Sequence, residues 1–406
     1  MKIIYLHQYF KFPDESGGTR SYDLSKGFVK EGYSVDVITT TSEEKYKNNK
    51  GWFLISRENI NVHYLYLPYD NKMSYQKRIM TFIKFVWLST FKMHSIEADI
   101  IIATSTPLTI GIPALLTKWL KKTPFIFEIR DVWPEAVIAI GAIRNKYIQK
   151  LLYKLEYLIY KNAQSLVVLS SDMKKSIVNR YPQINKRIEI IENISEISRF
   201  QKIKPEGYSI LDNYGIPKSR YIVLYAGTFG RVNGLKYAVS LAEKTLALDP
   251  TLIYVLVGDG IEKKEIIKIS EDKGILNKNL YILDSIAKEE LPQLYSEANL
   301  GSSFVIDIPE LSANSANKFF DTLAAGKPIL INYGGWQKEV INKDDIGHVL
   351  PPILDDKSIL DFVEYTKNDS LQSKQKKKAL EKAINSYSLE IATSTYISIL
   401  KGANNV

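Results

Sequence analysis

The chain of 406 residues contains no cysteine. Disulfides, thiolate metal sites, iron–sulfur clusters and cysteine nucleophiles are excluded, and a reducing compartment fits. Histidine is nearly as scarce. His7, His63, His94 and His348 stand singly, so no multi-histidine metal centre is expected. No apolar run reaches 18 residues, and no membrane-spanning helix is expected. The opening MKIIYLHQYF is too short and too polar for a secretory leader and reads as a first strand, so a cytoplasmic location is expected. There is no G-x-G-x-x-G: Gly258-Asp259-Gly260 is followed by Lys263 where the third glycine belongs. With no G-x-x-x-x-G-K-[ST] either, a dinucleotide dehydrogenase or a P-loop enzyme is disfavoured. No Asp-x-Asp pair occurs.

What is present is a cationic excess, 54 Lys plus Arg against 45 Asp plus Glu, a formal charge of +9. Such a balance favours phosphate-bearing ligands, polyanions or anionic membrane surfaces. The cations are spread along the chain without zinc-finger spacing or an aromatic–basic signature, so no nucleic-acid partner is expected.

Short apolar runs alternate with helical patterns, which predicts parallel α/β sheets. Strands are expected at 2–6, 35–39, 62–66, 100–103, 125–128, 166–169 and 188–191, then at 221–226, 252–257, 280–283, 300–304 and 328–331. Helices are expected at 19–31 and 236–248. Between the two series lies a polar stretch, 199–219, whose Pro205, Gly207, Gly215 and Pro217 suit a linker. Two doubly wound, Rossmann-like domains are therefore expected, 1–200 and 201–385. Their strand ends would face a cleft, because open α/β sheets bind ligands beyond those ends. The basic run 374–378 reads as a solvated helix face.

Four segments carry chemistry. Gly17-Gly18 follows the first strand and precedes a helix, where close backbone approach and free N–H groups suit a diphosphate. FEIRDVWPE places Glu128, Arg130 and Asp131 at a strand end; the alternative is an Arg–Asp ion pair holding the loop. YAGTFGRVNGLKYAV carries Arg231 and Lys236, five apart across a turn, which could converge on one anion. In IPELSANSANKFFDTLAAGKPILI, Ser312, Asn314 and Ser315 are helix N-cap candidates, and Lys318 and Asp321 share a face. An anion at that N-terminus would meet Lys318, while Asp321, one turn deeper, could accept from two adjacent hydroxyls. The alternative is a surface ion pair.

In this order the segments resemble family 4 glycosyltransferases of the GT-B fold, over nearly the whole chain. The opening YLHQYF…GGTRSY, E-x-RD-x-WPE and NKFFD-x-LAAGKP are similar to bacterial capsule and O-antigen transferases of the N-acetylfucosamine type. The resemblance implies retaining, metal-independent transfer from a nucleotide-diphosphate sugar, with no cofactor. The donor would be a UDP-linked N-acetylated or deoxy sugar and the acceptor a polyprenyl-diphosphate-linked saccharide. By the same resemblance Arg231, Lys236, Asn317 and Lys318 hold the donor diphosphate, Gly17 and Gly18 form the N-terminal glycine loop, and Asp321 binds ribose. The family's first acid falls on Ala313, for which Glu310 or Lys318 could substitute. Asp284 to Ile286 would contact the base, and Arg130 and Asp131 would lie on the acceptor side. Segment 386–406 would form a helix returning to the N-terminal domain. A nucleotide-sugar epimerase and a non-catalytic membrane-surface scaffold are the competing readings; the three cations argue against the scaffold.

Residues 72–94 form an apolar helical pattern with Lys77, Lys84 and Lys92 on one stripe and Ile79, Phe82, Ile83 and Val86 opposite, beside Trp87. It suits lying at an anionic membrane surface, which implies peripheral association with the inner face of the cell membrane. The alternative is a core-packed helix whose lysines face water.

Overall fold

The computed structural model describes residues 1–403 except 16, 69–72, 74, 106 and 204–206. They form two compact units. The first comprises Met1–Phe12, Thr19–Glu192 and Leu389–Val406; the second comprises Pro13–Gly18 and Asn193–Ser388.

The first unit holds an eight-stranded sheet of β1 (Lys2–Leu6), β2 (Ser34–Thr41), β3 (Trp52–Arg57), β4 (Ile60–Tyr66), β5 (Ile100–Thr104), β6 (Phe125–Ile129), β7 (Ser165–Val168) and β8 (Arg187–Ile190), in the order β3-β4-β2-β1-β5-β6-β7-β8. All pairs are parallel except β3 with β4. Buried parallel strands read as unbroken apolar runs, and every residue of β5 (IIIAT) and β6 (FIFEI) is buried. From β1 the chain first builds outward through β2, then returns to β5 on the other side. The switch point thus lies between the carboxyl ends of β1 and β5. The helix Leu389–Ala403 packs on Arg20–Lys30, where Gly27 admits Thr393: a Cβ there would come within 2.2 Å of its hydroxyl.

The second unit holds β9 (Tyr221–Ala226), β10 (Leu252–Val257), β11 (Leu280–Leu283), β12 (Leu300–Ser303), β13 (Ile329–Ile331) and β14 (Gly347–Val349), ordered β11-β10-β9-β12-β13-β14 and all parallel. Its switch point lies between β9 and β12. The doubly wound α/β architecture expected from the alternation is the one that forms.

Two strands escaped the sequence reading. Strand β3 is an edge strand joined to β4 by a two-residue turn with Glu58 and Asn59 both at positive φ, 51° and 60°. That turn ordinarily announces itself by Asn-Gly. Strand β14 is only three residues long, and its Gly347 is needed because a Cβ would lie 2.0 Å from the Ile329 carbonyl. The stretch 199–219 is also more than a linker. Pro205 lies outside the described residues, but Ile210, Leu211 and Ile216 are buried in the second unit's core. The Glu297 carboxylate accepts from the backbone N–H groups of Ile210 and Leu211 at 3.0 and 2.9 Å, which satisfies a polar backbone that would otherwise stay in water.

Candidate active site

In the second unit the loop after β9 runs Gly227 to Asn233 and rests on the loop after β10. Gly258 has φ 152° and a Cβ there would sit 1.9 Å from the Gly227 carbonyl, so only glycine lets the loops touch. Lys263, in the position that spoils the dinucleotide motif, staples the ends of β10 and β11: its Nζ donates to the Gly258 and Leu283 carbonyls and to Asp284 Oδ1 at 2.6 Å. The exposed Asp284 is thereby tethered, and Ile286 packs against the core.

The helix Asn317–Ala324 is anchored by Phe319 and Phe320, which pack with Trp336 and Tyr387 in an aromatic cluster. This fixes Lys318, one residue before, against the end of β9. Its Nζ lies 4.9 Å from the Tyr225 ring centroid and 3.4 Å from Asn233 Oδ1. Among the described residues no carboxylate pairs with it, and desolvation pulls its pKa down to about 8, with Asp321 opposing. Arg231 is exposed at the neighbouring turn, also without an acidic partner among the described residues. Lys236 instead faces Glu265, 2.5 Å from its carboxylate, because the first turn of Leu235–Leu246 points outward there.

None of Ser312, Asn314 or Ser315 caps the helix. Ala316 occupies the cap position with no side-chain bond, so no capping side chain accepts from the first N–H groups. The Ser312 hydroxyl and the Asn314 amide nitrogen donate to the Pro309 and Leu311 carbonyls, while Asn314 Oδ1 and Ser315 Oγ are buried without a partner among the described residues. Asn193, 4% exposed, donates to the Ser315 carbonyl while its Oδ1 has no partner among the described residues. Asn317 opens the helix, and Glu310 is exposed on the preceding turn Pro309–Leu311.

Asp321 is buried, and Lys288 donates to its Oδ2. Sequence reasoning missed Lys288, a lone lysine before two glutamates with no pattern to mark it. Gly17 and Gly18 belong to the segment Pro13–Gly18, which is held by Glu289 N to Pro13 O at 3.2 Å and Lys288 N to Glu15 O at 3.4 Å. Gly17 takes φ 131°.

In the first unit, residues at the β1–β5 switch point form a second group. His7 is buried, and its pKa is pushed down to about 3 by burial and then by Arg130. Arg130 Nη1 lies 3.4 Å from His7 Nε2, and a guanidinium can only donate, so the imidazole proton sits on Nδ1, 2.8 Å from Ser21 Oγ. The Arg130 backbone N–H donates to Ser105 Oγ at 2.9 Å. Asp131 is exposed beyond it.

Glu128 has a different use from the strand-end acid expected. It is fully buried and its carboxylate is shared among Arg20 Nε (3.1 Å) and Nη2 (2.9 Å), Thr104 Oγ1 (2.7 Å) and the Tyr396 hydroxyl. Burial pushes its pKa up, but Arg20 outweighs that and holds it at about 2. Arg20 also donates to the Ile191 and Glu192 carbonyls. Its place in GGTRSY, three residues past Gly17, was the only signal. Glu135 of the WPE segment likewise binds Arg180 and Ser176, and Arg180 reaches buried Glu156 at 2.7 Å.

Residues 17–199 match the family Glycosyltransferase Family 4, and residues 209–385 match Glycosyl transferases group 1. The chain is a glycosyltransferase of the group 1, family 4 type. This glycosyltransferase is 25% identical, over 173 residues, to "Putative colanic acid biosynthesis glycosyl transferase WcaI" of Escherichia coli (strain K12). That match spans 42% of the chain and only 41% of the relative's length. Solved structures share the fold over their length: sucrose-phosphate synthase from Thermosynechococcus elongatus (TM-score 0.76, 16% identity, 99% and 98% of the two chains), a glycosyltransferase from Rickettsia africae ESF-5 (0.70, 17%, 100% and 98%), and Anabaena HepE in complex with UDP and glucose (0.70, 14%, 99% and 100%). The glycosyltransferase therefore has the GT-B fold.

Proposed function

We propose that this glycosyltransferase moves a sugar, with retention and without a metal, from a UDP-linked N-acetylated or deoxy sugar to a polyprenyl-diphosphate-linked saccharide of a capsule or O-antigen. The observation that carries the reading is Lys318: a half-buried cation with no acidic partner among the described residues, beside an uncapped helix N-terminus at the β9–β12 switch point. A diphosphate meets both the helix N–H groups and the ammonium there. Arg231, at the adjacent turn, adds a planar fork for phosphate oxygens. As the glycosidic bond breaks, negative charge grows on the departing phosphate. Cations already in place stabilise it without reorganisation. The acceptor hydroxyl attacks from the face of departure and passes its proton to the leaving phosphate. Arg130 and Asp131 serve the acceptor side. A UDP complex of the structurally similar HepE supports the choice of uridine.

The acceptor reading is supported by the first unit's surface. Helix Tyr75–His94 buries Phe85, Val86, Ser89, Thr90 and Met93 and exposes Met80, Ile83, Trp87 and Phe91, with Lys84 among them. The helix is thus core-packed on one side and apolar on the other. Residues 72 and 74 of the expected segment lie outside the described residues. Helix Gly111–Lys121 packs beside it and exposes Trp119 and Leu120; helix Lys146–Asn162, packed on the latter, exposes Tyr147 and Leu151. Across the three helices the one acid is Glu156, which is buried on Arg180. An anionic bilayer surface matches this cationic, aromatic layer.

The test is incubation with UDP-, GDP- and dTDP-sugars, with and without a polyprenyl-diphosphate saccharide. Acceptor-dependent release of nucleoside diphosphate is expected. Turnover without acceptor would favour an epimerase, and no turnover with any donor would overturn the proposal.

A further inference from the structure

Segments distant in sequence meet at Lys288. It lies in the turn Lys288–Glu290 after β11, 6% exposed, with the Phe200 ring centroid 5.9 Å from its Nζ. Its side chain donates to Asp321 Oδ2, its backbone N–H to the Glu15 carbonyl, and the next N–H to the Pro13 carbonyl. A lysine so deeply covered requires a matched charge, and Asp321 supplies it. Stability alone does not explain the pair, because well-packed apolar residues of similar volume usually stabilise at least as well. An ion pair supplies what apolar residues cannot: a carboxylate fixed in one orientation. Lys288 occupies Oδ2, and among the described residues no donor is bonded to Oδ1. We propose that Lys288 is a positioning residue for the ribose of the donor, aiming Asp321 so that Oδ1 accepts from a ribose hydroxyl while the same turn carries the glycine segment Pro13–Gly18. This rests on the nucleotide-sugar reading above.

The test is calorimetric titration of the full chain with UDP, GDP and ADP, and with the 2′-deoxy and 3′-deoxy counterparts of whichever binds. A hydrogen bond to a charged group is worth about tenfold or more in affinity, so the wild type should prefer the ribonucleotide to at least one deoxy form by that factor. In Lys288→Met the ribonucleotide should weaken about tenfold and the preference should shrink to within about threefold, because the carboxylate is no longer aimed. Lys288→Arg should restore the preference. Lys288→Gln, measured alongside, should show the same loss, so the outcome does not hang on the folding of one variant. Unchanged affinity and preference in folded Lys288→Met or Lys288→Gln would overturn the proposal. So would an equal weakening of ribo and deoxy ligands, which is what a merely structural role produces. Failure of the wild type to bind any of the three ribonucleotides would overturn the nucleotide-sugar reading and this proposal with it.

Discussion

Replacing Arg20 by methionine should destabilise the first unit severely. Arg20 is 3% exposed, and its guanidinium makes two bonds to Glu128 and two to backbone carbonyls. The variant leaves Glu128 buried with only hydroxyl donors, and breaking a buried pair in this way costs about 3–5 kcal/mol. An independent route gives a similar size. The Glu128 carboxyl stands at about 2 in the folded chain against 4.5 ordinarily. That difference corresponds to stability on the order of 3 kcal/mol. Because the folded value is the depressed one, this contribution is complete above about pH 4.5 and disappears as pH falls toward 2. The first unit has roughly 200 residues, for which each kcal/mol moves Tm by about 2–4 °C, so a fall of about 6–20 °C is expected. Differential scanning calorimetry at pH 7 measures it. Repeating the scans between pH 5 and 3 should show a shallower acid dependence in the variant. Arg20→Met/Glu128→Met should recover part of the loss, since no charge is then stranded, but not all, because the Ile191 and Glu192 carbonyls still lack their donor. A single variant melting within about 2 °C of wild type would refute the reasoning.

Other outcomes follow from the same geometry. Lys318→Ala should lose at least about tenfold in kcat/KM, the worth of one charged hydrogen bond; unchanged transfer would remove Lys318 from the donor site. Lys318 is cationic below its value of about 8, so kcat/KM of the free enzyme should decline above about pH 8; a flat profile to pH 10 would contradict that assignment. Activity should persist in EDTA, and loss on chelation restored by magnesium or manganese would contradict a metal-free reaction. Sedimentation with liposomes should require anionic lipid, weaken with salt, and fall for the triple variant Lys77→Glu, Lys84→Glu, Lys92→Glu; equal binding by the folded variant would sink the membrane reading.

Most of the scaffold was legible because its strands are buried on both faces and therefore spell apolar runs such as IIIA, FIFE and LIYVLV. What hid was local. The β3–β4 turn places Glu58 and Asn59 at positive φ without a glycine, and β14 is too short to carry a pattern. In the candidate site, spacing located Lys318 and Asp321 on one helix but could not say what reaches them. Lys288 arrives from 33 residues away, and Lys236 meets Glu265 on the following helix. Glu128 looked like a working acid because it ends a strand; only the fold reveals that Arg20 and Tyr396, 108 and 268 residues distant, consume it.

Tyr396 has a consequence for how the chain is made. It completes the shell of Glu128 from the helix Leu389–Ala403, yet it leaves the ribosome only after the whole of Asn193–Ser388. During synthesis the eight-stranded sheet must wait, with a buried carboxylate one donor short and the groove over Arg20–Lys30 uncovered, while the second unit is produced in full. Domains generally fold as units in the order they emerge; here the first to emerge is the last to be finished. Nascent chains stalled at residue 388 should therefore be protease-sensitive in their N-terminal half, and a peptide spanning 389–403 supplied in trans should protect it.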